Sequence, residues 1–252
     1  KKKITSNNVI SLGYLPATEI FVKSFKKINN NFKQKINYCK NCNHLNLAYR
    51  YDVNNFYNDE YLNSSQNFSN QHSNNIFIKF IEKNINKKKF NVIEHGANDT
   101  FLLEKFQRYC SKIIAIDPCI KKNKKLKKIK YIKKFSEDVQ KNEINFIPEI
   151  VLCSQTLEHV SSPLQFLSHV TKFGDTNTKY FFQFPSCESL LDRNAFDQIH
   201  HQHINHFSLK SISKILKSLG FSIVEYAYNE LHYGSLMIYF KKGIVKREIK
   251  FL

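Results

Sequence analysis

The segment from residue 91 to 103, Asn-Val-Ile-Glu-His-Gly-Ala-Asn-Asp-Thr-Phe-Leu-Leu, restricts the fold more than any other stretch of the chain. Val92 and Ile93 are β-branched and apolar, as the end of a buried strand requires. Glu94 places a carboxylate at the strand tip, and Gly96 opens a tight turn. Phe101, Leu102 and Phe106 follow with the spacing of a helix face. A second apolar run, Lys112-Ile113-Ile114-Ala115-Ile116, ends in Asp117 about 20 residues beyond the glycine turn. Two strands separated by one helix, each tipped by an acid, predict a parallel α/β sheet with a pocket beyond its carboxyl ends. An acid at the second tip accepts both hydroxyls of a ribose, so the corner reads as a nucleoside site.

The turn also narrows the ligand. A dinucleotide site needs Gly-x-Gly-x-x-Gly so that backbone can press against a pyrophosphate. Here Asn98 and Phe101 occupy the second and third glycine positions, and their side chains crowd a phosphate. S-adenosylmethionine (SAM) carries no phosphate, and its charged methionine end suits a polar residue such as Asn98. The residues therefore favour SAM over a nicotinamide cofactor. The competing interpretation is an α/β protein whose first turn is only a turn.

At 252 residues the chain can bury a sizeable core. It contains no run near the ~20 apolar residues of a membrane span, and no basic-then-apolar leader is seen. Its six cysteines do not form a disulfide pattern, and only Cys39 and Cys42 lie close together. These features predict a cytoplasmic protein with one metal or redox pair at most. The net charge of +18 is concentrated in Lys121 to Lys134. Such a run suits nucleic acid or acidic lipid, but no aromatic side chains interleave to stack on bases. A solvated helix and loop is the reading preferred here, with nucleic acid set aside.

Along the chain, residues 1–75 lack helical periodicity and hold short strand-like pieces at 8–12, 35–38 and 45–49. Between the last two lies Tyr38-Cys39-Lys40-Asn41-Cys42, half of a tetrahedral zinc site. From about Asn74, Ile76, Ile78, Phe80 and Ile81 predict a helix. Further strands are expected at 130–134, 149–154 and 179–185, the last stopped by Pro185. Pro163 opens a helix. A final helix over 209–219 ends at Gly220, and strands follow at 221–228 and 235–241. The alternation predicts a doubly wound sheet preceded by a small module.

Between the fifth of these strands and the last helix, four histidines fall within seven residues: His200, His201, His203 and His206. Neutral imidazole accepts a proton near pH 7. Base catalysis by this loop is ranked first, a polar surface loop second, and metal ligation with Asp197 third.

These segments together resemble the SAM-dependent sugar C-methyltransferases, class I enzymes with an N-terminal zinc module that act on nucleotide-linked keto-deoxysugars. Leu12-Gly13-Tyr14-Leu15-Pro16-Ala17 resembles the entry to that module, and Cys39/Cys42 resembles its second Cys-x-x-Cys. The stretch from Tyr57 to Ser65 is similar to a Tyr-x-x-Ser-Ser segment. Residues 92–103 resemble Val-Leu-Glu-Ile-Gly-x-Asn-Asp-Gly, and Ile116-Asp117-Pro118 the ribose acid with its proline. Leu157-Glu158-His159-Val160, residues 196–208 and His232-Tyr233-Gly234-Ser235-Leu236 match later motifs in order.

The resemblance implies a class I, Rossmann-like sheet over 76–252, with the module over 1–75. It implies that SAM is held by Tyr61, Glu94, Gly96, Ala97, Asn98, Asp117, Pro118, Asp138 and Gln155. Within a catalytic loop at 196–208, it makes His203 the general base, supported by His201 and His200. The sequence also departs from the family. The first Cys-x-x-Cys is missing, so a four-ligand zinc site at Cys39 and Cys42 would need His44, His72 or distant cysteines to complete it. Thr100 replaces a glycine, His200 a tyrosine and Gln202 a glutamate. The family's C-terminal domain is not represented, which points to C- or O-methylation of a smaller or differently presented carbohydrate. A SAM-binding partner subunit and an RNA methyltransferase are the rival readings.

Overall fold

The computed structural model describes residues 9–16, 31–50, 65, 67–86, 89–231 and 234–245. In chain order the elements are β1 (Val9–Pro16), β2 (Asn31–Cys39), β3 (His44–Leu47), α1 (Phe68–Glu82), β4 (Phe90–His95), α2 (Phe101–Phe106), β5 (Cys110–Ile116), β6 (Ile129–Ile132), β7 (Ile150–Ser154), α3 (Pro163–Val170), β8 (Lys179–Pro185), α4 (Cys187–Asp192), β9 (Asn205–His206), α5 (Leu209–Ser218), β10 (Phe221–Asn229) and β11 (Ser235–Lys242).

Seven strands form the main sheet in the order β10-β11-β8-β7-β4-β5-β6. From β8 to β6 every neighbouring pair is parallel. β11 runs antiparallel to both β8 and β10. Strand alternation divides the core cleanly. Ile150 and Leu152 face α1 and α2, where Phe77, Ile81, Leu102, Leu103 and Phe106 meet them. Val151 and Cys153 face α3 and α5, and pack with Phe166, Leu167, Ile212 and Leu216. Because both faces are covered, the parallel strands read as continuous apolar runs. β6 ends the sheet, and exposed Lys128 and Lys130 flank it or lie on it. Lysines on an edge discourage pairing with other chains, so part of the Lys121 to Lys134 run has a structural use.

The fold matches the expected α/β doubly wound class. Its strand order switches between the parallel β4 and β7: β5 and β6 are added on one side of β4, and β7 and β8 on the other. In such sheets ligands sit at this point, beyond the strand ends.

A second, four-stranded sheet has the order β1-β2-β3-β9. Its first three strands come from the N-terminal region and pair antiparallel. The fourth is the two-residue β9 inside the histidine loop, which pairs Leu45 with His206 and Asn46 with Asn205. Ile36, Leu45 and Leu47 bury against Cys187, Leu190 and Ile199. The N-terminal strands are thus fastened to residues some 160 positions later, as when Ser208 Oγ donates to the Cys42 carbonyl at 2.9 Å (|i−j|=166).

α1 starts at Phe68, ahead of the apolar period that begins near Asn74. Its first turn is polar, and the Asn67 side chain caps it by accepting from the amides of Ser69 and Asn70 at 2.9 and 3.2 Å. Among the described residues, no helix is long and apolar enough to cross a membrane.

Candidate active site

Gly96 sits directly after β4 with φ +74°. A Cβ placed there would lie 1.9 Å from Thr156 Oγ1, so only glycine lets the β4 turn approach the exit of β7 this closely. Around it Asn98, Thr100 and Gln155 also adopt positive φ, at 46°, 61° and 50°. Left-handed backbone in three non-glycine residues concentrates strain at one place, as functional sites tend to. Thr100 keeps the conformation for which a glycine would be suited.

Beside this turn opens a small polar cleft. Glu94, Gly96, Ala97 and Asp99 line it from the β4 side, and Ser154 and Gln155 from β7. Phe101 and Leu102 of α2 also line it, and Asn70, Ser73 and Asn74 of α1 with Gln183 of β8 complete the wall. The sequence reading passed over these last four. A polar i, i+3, i+4 stripe on the inward face of α1 was the available signal. The stripe is bonded into place: Ser154 Oγ donates to Asn74 Oδ1 at 3.1 Å, and Gln183 Nε2 donates to Ser154 Oγ at 3.2 Å. Gln155 Nε2 donates to Ser235 Oγ at 3.0 Å, while its buried Oε1 has no partner among the described residues.

Glu94 is 2 % exposed, and its Oε2 has no hydrogen-bond partner among the described residues. Burial, with the nearby charges of Asp117 and Asp99, pushes its carboxyl well above the ordinary range. Asp117 follows β5 and accepts from the amides of Asn98 at 3.0 Å and Cys119 at 2.7 Å. Burial raises its pKa, and those two amides pull it back. Pro118 continues the same turn. Asp99, another residue the sequence reading left out, accepts from the amides of Ser65 at 2.9 Å and Phe101 at 3.3 Å. Glu94, Gly96, Ala97, Asn98, Asp117 and Gln155 are therefore gathered at one corner. Asp138 lies exposed on a short 3₁₀ turn after β6 and does not line the cleft. Tyr61 and His232 lie outside the described residues.

Beyond Gln155 the chain makes a short 3₁₀ turn, Leu157–His159, that carries it to the histidine loop. His159 Nδ1 contacts the Gln202 carbonyl at 3.0 Å, and His203 Nδ1 contacts the Gln198 carbonyl at 3.1 Å. A carbonyl only accepts, so both Nδ1 atoms carry the proton and both Nε2 atoms keep the lone pair. The rings of His159 and His203 lie 5.0 Å apart, and those of His200 and His203 4.0 Å. His201 stacks on Phe32 of β2 at 5.3 Å, away from that pair. Burial holds His159 neutral down to about 4, partly offset by the Gln202 carbonyl. Burial and the neighbouring histidines hold His200 neutral to about 3. Neutral imidazoles are the form that accepts protons.

Cys39 and Cys42 flank the β2–β3 turn, where the Cys42 and Asn43 amides donate to the Cys39 carbonyl at 3.2 and 2.7 Å. Burial raises the Cys39 thiol, but the amides of Cys42 and Asn41 and the charge of Lys214 bring it below the ordinary value. Among the described residues no third ligand joins this pair. Among the described residues, the one cluster of three metal-ligand side chains is Glu158, His159 and His203.

The profile of a methyltransferase-domain family matches residues 69–226, well over half of the chain. The chain belongs to this methyltransferase family. The methyltransferase is 22% identical, over 166 residues, to the C-methyltransferase NovU of Streptomyces niveus. That alignment covers 63% of this chain and 39% of NovU, so the chain spans about two fifths of its relative. Magnesium protoporphyrin IX methyltransferase (ChlM) from Synechocystis PCC 6803, solved with bound SAH, superposes with a TM-score of 0.54 at 13% identity, covering 69% of this chain and 84% of that one. The N-methyltransferase NodS from Bradyrhizobium japonicum WM9, also in complex with SAH, superposes at 0.52 with 10% identity, covering 70% and 88%. The shared fold is the class I methyltransferase fold, and SAM is the cofactor of the methyltransferase. The residues present fit SAM. An unpartnered Glu94 oxygen is buried at the edge of the cleft, and among the described residues no basic side chain lines it to repel a sulfonium.

Proposed function

We propose that this methyltransferase transfers the methyl group of SAM to a sugar or related cell-surface carbohydrate precursor, in the cytoplasm, with His203 as proton acceptor. When bound, SAM supplies a methyl carbon made electrophilic by the adjoining sulfonium. Glu94, Gly96, Ala97, Asn98, Asp117, Pro118 and Gln155 would hold it, with Asp117 facing ribose hydroxyls and the acidic Glu94 and Asp99 attracting the cationic end. Tyr61 and Asp138 remain candidates on the resemblance alone. Residues 76–252 form the donor half, with Asn70, Ser73 and Asn74 at the start of α1 adding to its cleft, and the strands of the N-terminal region, with His201 against Phe32, help shape the acceptor half.

The observation that carries this reading is the pose of His203. The Gln198 carbonyl fixes its tautomer, so Nε2 is the basic atom, beside a second imidazole held the same way. At an acceptor hydroxyl, His203 takes the proton as oxygen attacks the methyl carbon. At a carbon alpha to a ketone, it takes the proton and leaves an enolate as the nucleophile. The agreement of residues 196–208 with the sugar C-methyltransferases, and the name of the relative NovU, support a carbohydrate acceptor. The test is methyl transfer over a panel of nucleotide-linked keto-deoxysugars and glycan precursors, comparing wild type with His203→Ala. Loss of a general base costs about 10²–10⁴-fold in rate while SAM affinity is unchanged. Equal turnover by the two proteins removes His203 from the mechanism.

A further inference from the structure

Next to the cleft, three metal-ligand side chains converge from two segments distant in sequence. Glu158 and His159 close the short turn after β7, and His203 meets them from the histidine loop. One ligand atom from each lies within 4.8 Å of the other two. Glu158 Oε1 and His159 Nε2 stand 3.8 Å apart. Two donors on one tetrahedral zinc ion, each about 2.0–2.2 Å from it, are separated by roughly 3.4 Å. A small side-chain rotation therefore brings the set to bonding distance.

Two independent features prepare these groups for a cation. Metal-binding histidines usually donate their second ring N–H to a carbonyl or carboxylate, which orients the ring and leaves the other nitrogen for the metal. His159 and His203 both do this, through the Gln202 and Gln198 carbonyls at 3.0 and 3.1 Å. The carboxyl of Glu158 is 1 % exposed, and its Oε2 has no hydrogen-bond partner among the described residues. A buried carboxylate oxygen left unbonded is costly unless a cation faces it or a proton neutralises it.

We propose that Glu158, His159 and His203 form a site for one divalent transition-metal cation of the zinc type, and that a cation held there withholds His203 from proton transfer. Two imidazoles and a carboxylate make a three-ligand set that such cations accept, with a fourth position left for water. One nitrogen lone pair binds either the metal or the proton. On binding, the His203 Nε2–metal bond forms, and a proton carried by Glu158 is released to solvent. No oxidation or reduction is involved. The second half of the proposal rests on the proton-acceptor reading of His203, and the first half does not.

The full chain, stripped with a chelator, is titrated with Co²⁺ and read by visible absorption, calorimetry and thermal unfolding. The expected result is one cation per chain, ligand-field bands without a sulfur-to-metal charge-transfer band, and a rise in Tm. Glu158→Gln and His159→Ala should each weaken Co²⁺ binding by at least about tenfold, and a Cys39→Ser/Cys42→Ser variant should bind as wild type does. If one of the first two variants fails to fold without metal, the other carries the comparison. Absence of binding by wild type, unchanged affinity in the folded variants, or a thiolate band overturns the site. Zn²⁺ should abolish methyl transfer and a chelator restore it; stimulation by Zn²⁺ overturns the second half. If every acceptor proves inert, the carbohydrate reading fails while the titration still decides the site.

Discussion

Gly96→Ala probes the geometry on which the cleft depends. The substitution has two separable costs. At φ +74° an L-residue meets its own carbonyl, which costs about 1–2 kcal/mol. The new methyl also falls 1.9 Å from Oγ1, 2.7 Å from Cγ2 and 2.8 Å from Cβ of Thr156. Overpacking of this kind adds about 1–3 kcal/mol. The sum is about 2–5 kcal/mol, which for a chain of this size lowers Tm by roughly 4–20 °C. SAM affinity should fall with it, because Gly96 and the neighbouring Gln155 both line the cleft. A double-mutant cycle separates the two costs. Thr156→Ala would leave a Cβ still too close, whereas Thr156→Gly removes all three clashing atoms. In the Gly96→Ala background, Thr156→Gly should therefore recover about 1–3 kcal/mol and leave the backbone cost in place. The assay is urea unfolding of the four proteins, with calorimetry of SAM binding on each. Strict additivity, or a Gly96→Ala protein as stable as wild type, would refute the close-approach argument.

Three further outcomes are expected. Asp117→Asn leaves one carbonyl-type oxygen where two served the amides of Asn98 and Cys119, so SAH affinity measured by calorimetry should drop at least about tenfold. His95, held between Phe166 and Phe173, is kept neutral by burial down to about 3, and His206 by burial and His44 to about 4. These folded pKa values are depressed, so their stability is complete above the unfolded value near 6.5 and is lost as pH falls toward 3. At 1.36 kcal/mol per unit the pair accounts for about 8 kcal/mol. Urea midpoints should fall steeply from pH 6.5 to 4.5, and a flat profile would contradict the burial of these rings. Ser208→Ala removes the cap on the Ser211 amide at 3.0 Å and the bond to the Cys42 carbonyl. It should cost about 1–2 kcal/mol in urea unfolding.

The parallel core was legible because each central strand is buried on both faces. Ile113 to Ile116 and Ile150 to Cys153 carry no polar interruption, and Gly96 marks the turn beside them. The corner between β4 and β5 was legible for a related reason, since Glu94, Gly96, Asn98 and Asp117 lie within two dozen positions. What escaped reading depends on contacts between distant segments. β9 is two residues long and exists only because β3 offers an edge, so no periodicity announces it. α4 has six residues and is set by its Ser186 cap more than by an apolar pattern. The polar wall from Asn70, Ser73, Asn74 and Gln183 becomes visible only when α1 and β8 are brought to the same cleft. The junction of Glu158 and His159 with His203 likewise arises from the crossing of two loops.

The strand pairing between β3 and β9 joins a hairpin near the start of the chain to the loop bearing His203. A different residue at Leu45 or Asn46 would act on that loop through this pairing, whereas the β4–β5 corner belongs to the other sheet. If the histidine loop meets the acceptor as proposed, substitutions in β3 would alter what is alkylated, while the corner proposed to grip the donor lies in the other sheet.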